Sequence, residues 1–219
     1  MGMSAPPSAP PIPDWPDRSV PPSAAYLASQ LWTPDRVQAE LVDERRPWPR
    51  YELIGGELLV SPGPHWNHQR VAGELYSLLV PYVERHELGE VLYSPADVRL
   101  TPTSMAQPDL FIVPPSSAGG GDWRDIASLS LVVEVLSPST ARYDRVTKRA
   151  YYAERGVPTY WVVDYDGRRF EVSAPGRADV EYRDREVTWH PAGAPEPLVI
   201  DVVAVFDRVA ARERRTRGG

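Results

Sequence analysis

The chain has 219 residues, of which 42% are hydrophobic and 25% charged, and this balance fits one globular domain with a hydrophobic core and attached segments. The absence of cysteine excludes disulfides and thiolate metal sites. The net charge of −6 argues against a protein that coats nucleic acid irrespective of sequence. Because there is no apolar run of ~20 residues and no signal-peptide pattern, we expect a cytoplasmic protein without a membrane partner.

The first third of the chain is predicted to contain a leader, two helices and a hairpin. Residues 1–25 hold eight prolines among alanine and serine, a composition typical of a disordered leader. A cap-like threonine followed by proline predicts a short helix over 33–45. Apolar runs on both sides of Gly55-Gly56 predict a β-hairpin. Apolar spacing then predicts a helix over 65–87, which Pro81 should kink or end.

The rest of the chain is predicted to be rich in strands. Aliphatic and β-branched runs predict strands at 89–94, 96–100, 109–113, 130–136 and 159–164, with shorter ones between 169 and 190. A helix over 142–155 would join two of them as a parallel βαβ unit. Residues 198–206 fit either a strand or a final helix.

These elements predict an α/β fold, in which helices flank a central mixed β-sheet and a β-rich C-terminal extension follows. We expect a single domain over 26–207. A basic, flexible tail is expected at 208–219.

Two carboxylates interrupt apolar strands. Asp109 begins one strand after Pro108, and Glu134 lies in "LSLVVEVLSPST" (129–140). A buried carboxylate should be paired, protonated or bound to a metal, because leaving it unpaired costs several kcal/mol or more. If the two strands are neighbours, both acids suit Mg²⁺, with Glu57 of the hairpin as a further ligand. The alternatives are a strand-entry cap for Asp109 and a buried ion pair for Glu134, for example with an arginine.

Lys148 is the only lysine among 24 basic residues. Arginine evidently serves for surface charge, so a single lysine indicates a role that a guanidinium cannot fill. The alternative is a surface pair with Asp144 at (i, i+4) spacing. On sequence grounds, replacing Lys148 should hardly affect folding.

His65 and His68 have the (i, i+3) spacing of ligands on one helix face. A zinc site needs a third protein ligand, and the sequence offers no obvious one. We therefore favour a role at the helix start or in hydrogen bonding near the site.

Three stretches of the sequence carry a resemblance to a known family. "QPDLFIV" and "LVVEVLSPSTARYDRVTKRAYYAERGVPTYWVVD", preceded by "GELLVSPGPHWNHQRVAGEL", resemble the Uma-type restriction endonucleases of the PD-(D/E)xK superfamily over about residues 50–175. The resemblance implies a restriction-endonuclease-like core. Asp109 matches the acid of the PD motif and Glu134 that of the (D/E)xK motif. The usual lysine position holds Leu136, and Lys148 on the next helix takes its place, one turn before Tyr152, which matches a family tyrosine.

The function implied by this resemblance is metal-dependent hydrolysis of phosphodiester bonds in DNA. Mg²⁺, or Mn²⁺ as the alternative, would be held by Asp109, Glu134 and the carbonyl of Val135, and would activate a water molecule. Lys148 would orient that water or stabilise charge on the phosphate, and Glu57 would contribute. A homodimer is expected by analogy with the superfamily. The alternative is a catalytically silent nuclease-like fold that binds DNA or protein.

Overall fold

The computed structural model describes residues 24–43, 48–117, 121–177 and 179–217. The chain forms two compact units, residues 1–30 and residues 31–219. In the first unit the described part holds helix α1 (Ala24–Ser29), and the rest of the predicted leader lies outside the described residues.

A six-stranded mixed sheet is the centre of the second unit, as the sequence predicts. Its strands follow one another in space in chain order: β3 (Glu90–Tyr93), β4 (Leu110–Val113), β5 (Leu131–Val135), β6 (Tyr160–Asp164), β7 (Arg169–Ser173) and β8 (Glu181–Arg183). Strands β5 and β6 pair in parallel, and the other neighbouring strands pair antiparallel. Every residue of β5 is buried, because both faces of the sheet are covered.

Helices cover the two faces of this sheet. Helix α3 (Trp66–Arg85) and helix α6 (Val202–Arg217) share one core with the sheet. The second core lies under a helical segment that connects β5 to β6. That segment begins as α4 (Ala141–Tyr143), becomes a π-helix over Asp144–Lys148 and ends as α5 (Arg149–Glu154). The predicted βαβ unit is thus present.

Two hairpins and a short helix complete the unit. Strands β1 (Arg50–Ile54) and β2 (Glu57–Ser61) pair around Gly55 and Gly56, whose φ angles of 60° and 82° lie in the left-handed region that favours glycine. Strands β9 (Glu186–Trp189) and β10 (Leu198–Asp201) form the second hairpin. Helix α2 (Pro34–Glu40) is capped by the Thr33 hydroxyl, as predicted.

Some elements differ from their sequence predictions. Residues 96–100 do not form the predicted strand. An isolated β-bridge joins Val98 to Ala106 in this segment. Pro81 lies inside α3 without ending it, because the residues around it are buried in the core. Residues 198–206 divide into β10 and the start of α6.

The C-terminal segment also differs from its prediction. Residues 208–217 form helix rather than a flexible tail. Val209 is fully buried, and both Arg208 and Arg212 contact the buried carboxylate of Glu74 on α3. These contacts order the segment despite its charge. Within the described residues, no helix combines the length and apolar character that crossing a membrane requires.

Candidate active site

The two predicted acids lie side by side at one end of the sheet. Strand β4 pairs with β5 in a register that sets Leu110 opposite Val133, and extending it by one residue sets Asp109 opposite Glu134. Residues opposite each other in an antiparallel pair point to the same face. Asp109 Oδ2 also accepts the backbone N–H of Val135 at 2.8 Å. The strand pairing therefore brings the two acids together.

Lys148 reaches this end of the sheet from the helical segment above it. Its Nζ lies 2.9 Å from Glu134 Oε1, 2.9 Å from Glu52 Oε1 and 3.5 Å from Asp144 Oδ1. Only 3% of Lys148 is exposed. Glu134 is therefore in a buried ion pair, which is one of the alternatives given by the sequence. Its partner is the lone lysine and not an arginine. We call the four carboxylates of Glu52, Asp109, Glu134 and Asp144, together with Lys148, the acid cluster.

A π-helical turn presents Lys148 to the cluster. The segment Asp144–Lys148 is π-helical between two α-helical pieces, and such turns occur frequently at functional sites. Thr140 Oγ1 donates to Asp144 Oδ2 at 2.8 Å, and the Tyr160 hydroxyl donates to the Asp144 carbonyl at 2.9 Å. The Asp144 and Lys148 pair suggested by sequence exists, but it is buried and not at the surface.

Glu52 is the acid of the first hairpin that was passed over on sequence grounds in favour of Glu57. Glu52 is 5% exposed and its Oε1 also accepts the backbone N–H of Gln107 at 2.8 Å. Glu57, the residue preferred on sequence grounds, is exposed where β2 begins, beside the turn. The sequence does contain a feature that favours Glu52 as the buried acid. Glu52 is the one acid inside the apolar run "YELI", whereas Glu57 follows the two glycines directly.

The two histidines have different surroundings. His68 Nε2 lies 3.0 Å from Asp109 Oδ2, and His68 Nδ1 is buried with no hydrogen-bond partner among the described residues. His65 is the exposed N-cap residue of α3. In the described part of the chain, no group of three histidine, aspartate or glutamate side chains is arranged to hold a metal ion.

Burial and mutual charge act on the ionisation of these groups. Burial raises the pKa of Glu134 well above its ordinary value, and Lys148 offsets this only in part. Burial acts in the same direction on Asp109, but the hydrogen bond from His68 and the charge of Lys148 bring its pKa below the ordinary value. Burial opposes the ammonium of Lys148, yet Glu134, Glu52 and Asp144 raise its pKa well above the ordinary value. Lys148 is therefore charged at neutral pH.

Negative charge is in excess in the acid cluster. Its four carboxylates face one ammonium, and the nearby guanidinium of Arg50 is the further cation that acts on Asp109, Glu52 and Glu134. The hydroxyls of Tyr143 and Tyr152 are buried beside the cluster without partners among the described residues. A surplus of buried carboxylate oxygen is the environment in which a hard divalent cation binds.

Comparisons with known proteins agree with this fold. No curated protein matches the chain significantly. Among solved structures, one described as "a putative nuclease belonging to DUF820 from Anabaena variabilis ATCC 29413" superimposes with a TM-score of 0.62. It shares 19% sequence identity, over 74% of this chain and 92% of that one. The Uma2 family, described as "Putative restriction endonuclease", matches residues 36–205, which include the whole acid cluster. This match covers most of the chain, and the protein therefore belongs to the Uma2 family.

Proposed function

We propose that the protein is an endonuclease that hydrolyses phosphodiester bonds of DNA with a divalent cation at Asp109 and Glu134. The observation that carries the proposal is the ion pair of 2.9 Å between Lys148 and Glu134, beside Asp109, in a member of a family described as restriction endonucleases. Two acids at one end of a sheet can hold a divalent cation, and a lysine beside them can stabilise charge on a phosphoryl group, so this arrangement suits phosphodiester hydrolysis.

The acid cluster fits Mg²⁺ or Mn²⁺ by the chemistry of its donors. The carboxylates of Asp109 and Glu134 would hold the cation, while the described hydrogen bonds to Asp109 Oδ2 and Glu134 Oε1 keep the two side chains in place. The Val135 carbonyl remains a proposed third ligand. When bound, the cation would polarise the phosphate and lower the pKa of a water molecule.

The protein's own groups would position this chemistry. His68 and the Val135 N–H hold Asp109 in place through Oδ2. Lys148 would stabilise the negative charge that develops on the phosphate, because its raised pKa makes it a poor general base. Glu52 would fix the position of the ammonium, and Glu57 keeps a lesser role near the substrate.

The second candidate is a catalytically silent module that binds DNA or protein. Its support is that Lys148 is already paired with Glu134 and Glu52, which satisfies the cluster internally. A homodimer remains a prediction, to be checked by measuring the mass of the protein in solution.

Cleavage and metal binding together test the proposal. We expect supercoiled plasmid to be nicked with Mg²⁺ or Mn²⁺ and left intact with chelator. Glu134→Gln should abolish nicking and weaken Mg²⁺ binding in a calorimetric titration. If Mg²⁺ binds equally to the wild type and to Glu134→Gln, and neither cuts DNA, the silent module is the better account.

A further inference from the structure

Arg50, the first residue of β1, brings a second cation to the acid cluster. Arg50 and Glu52 are two residues apart in this strand, and side chains at that spacing point to the same face. Glu52 contacts Lys148 in the buried part of the cluster, whereas Arg50 is only half-buried. The guanidinium of Arg50 therefore lies on the solvent side of the cluster.

Two hydrogen bonds in sequence place Arg50 beside Asp109. Arg50 Nη1 donates to Ser94 Oγ at 2.5 Å. The backbone N–H of Ser94 donates in turn to the Asp109 carbonyl at 3.2 Å, which continues the pairing of β3 with β4 by one residue. Burial lowers the pKa of Arg50, and the charges of Asp109, Glu52 and Glu134 oppose this effect. The guanidinium is thus close enough to act on three acids of the cluster.

The acids that Arg50 faces have other partners. Asp109 contacts His68, and the other two contact Lys148. Among the described residues, Arg50 forms no ion pair, and its only hydrogen bond is the one to Ser94. Its Nε is buried without a partner in this part of the chain, whereas Nη2 is not among the buried unpartnered atoms. Nη2 is therefore a donor that a group arriving from solvent can reach.

An aromatic ring holds this guanidinium in place. The Cζ atom of Arg50 lies 4.3 Å from the centre of the Trp48 ring. A Cβ atom at Gly63 would lie 3.4 Å from the same ring, so the indole is packed closely against the loop that follows β2. A guanidinium that rests on a confined ring and is bonded to Ser94 loses little freedom when it binds a ligand.

We propose that Arg50 binds an oxygen of the same DNA phosphate that the cation at Asp109 and Glu134 binds. The inference rests on the proposed function, because it names a further contact of that substrate. Arginine suits this role, since its guanidinium stays charged and forms strong hydrogen bonds to phosphate oxygens. Without the cation the phosphate would meet mainly carboxylates, so the contact with Arg50 should depend on the cation.

DNA binding with and without a cation tests this contact. Fluorescence anisotropy of a labelled duplex is measured with the full chain in Ca²⁺, which takes oxygen ligands as Mg²⁺ does, and again with chelator. In Ca²⁺, Arg50→Gln should weaken binding at least roughly tenfold, because a charged hydrogen bond to the phosphate is lost. With chelator the same change should alter binding by less than about twofold. The matched control, Arg85→Gln, removes an exposed arginine at the end of α3 and should bind like the wild type in both conditions.

Two further measurements separate phosphate binding from support of the acids. Arg50→Lys keeps the charge and should recover part of the lost affinity, since an ammonium binds phosphate without the fixed geometry of a guanidinium. Mg²⁺ should bind Arg50→Gln at least as tightly as the wild type in calorimetry, because the change removes a cation from beside the acids. Weaker Mg²⁺ binding would show that Arg50 only holds the acids in place, and would overturn the inference. If melting curves show that Arg50→Gln does not fold, Arg50→Lys takes its place and should bind DNA more weakly than the wild type in Ca²⁺ alone.

The outcomes also distinguish this inference from the proposed function. Equal binding by Arg50→Gln and Arg85→Gln in Ca²⁺ overturns the inference, even if the wild type cuts DNA. An equal loss with Ca²⁺ and with chelator overturns it too, since the phosphate would then not be shared with the cation. A wild type that binds no DNA in Ca²⁺ has the same consequence. A loss that appears only with Ca²⁺ supports the inference, even if no DNA is cut.

Discussion

Replacing Lys148 by methionine should destabilise the protein strongly. The substitution keeps a long side chain but removes the ammonium from three carboxylates that lie within 3.5 Å of it. The three acids are nine-tenths or more buried, so water can replace the lost cation only poorly. The expectation from sequence, that replacement would hardly affect folding, is therefore revised by the structure.

The expected magnitude follows from the burial of the pair. Removing one partner of a buried ion pair costs about 3–5 kcal/mol, because it leaves charge uncompensated. In a domain of this size each kcal/mol shifts the melting temperature by ~2–4 °C, so the loss should be roughly 6–20 °C. The pKa of Lys148 is raised, so its contribution is present below the ordinary lysine pKa and is lost only as pH rises through the higher folded value. The difference between wild type and variant should thus persist throughout the neutral range.

Thermal unfolding followed by circular dichroism, without divalent metal, measures this effect. Arg149→Met, one position along the chain on a partly exposed side chain, is the matched control and should melt close to the wild type. Adding Glu134→Gln to Lys148→Met should restore part of the lost stability, because the second change removes one uncompensated charge. A Lys148→Met variant that melts within a degree or two of the wild type would refute the reasoning from buried charge.

Four further predictions concern the same cluster and the leader. The pKa of Glu134 is raised, so the contribution of this group to stability is present below the ordinary glutamate pKa and is lost as pH rises from there towards the raised value. In melting curves of the metal-free protein taken across pH, Glu134→Gln should remove this loss. Lys148→Arg should lower Mg²⁺-dependent cleavage at least roughly tenfold in initial-rate assays, since a planar guanidinium does not replace a compact ammonium. His68→Ala should weaken Mg²⁺ binding in titration by roughly 10–100-fold, because it removes the contact that orients Asp109. Deleting residues 1–23 should leave the melting temperature unchanged, and a fall of many degrees would show that the leader supports the core.

The sequence by itself determined the main strands and helices and the two principal acids. Apolar runs specified β4, β5 and β6, because strands buried on both faces must be aliphatic throughout. The same rule identified Asp109 and Glu134 as candidate site residues, because burying an unpaired carboxylate in or beside such a strand costs free energy. The rarity of lysine singled out Lys148 without any knowledge of its surroundings.

Only the tertiary structure decided which acid of the first hairpin joins the cluster and what surrounds the lysine. The apolar residues around Glu52 are a hint in the local sequence, but only the docking of β1 beside Gln107 shows that Glu52 is buried whereas Glu57 is exposed. The C-terminal arginines look like a flexible tail because local sequence shows only their charge. Their order depends on Glu74, more than a hundred residues earlier, and on the burial of Val209. Contacts between segments so distant in sequence leave no periodic pattern in either one, so only the folded chain reveals them.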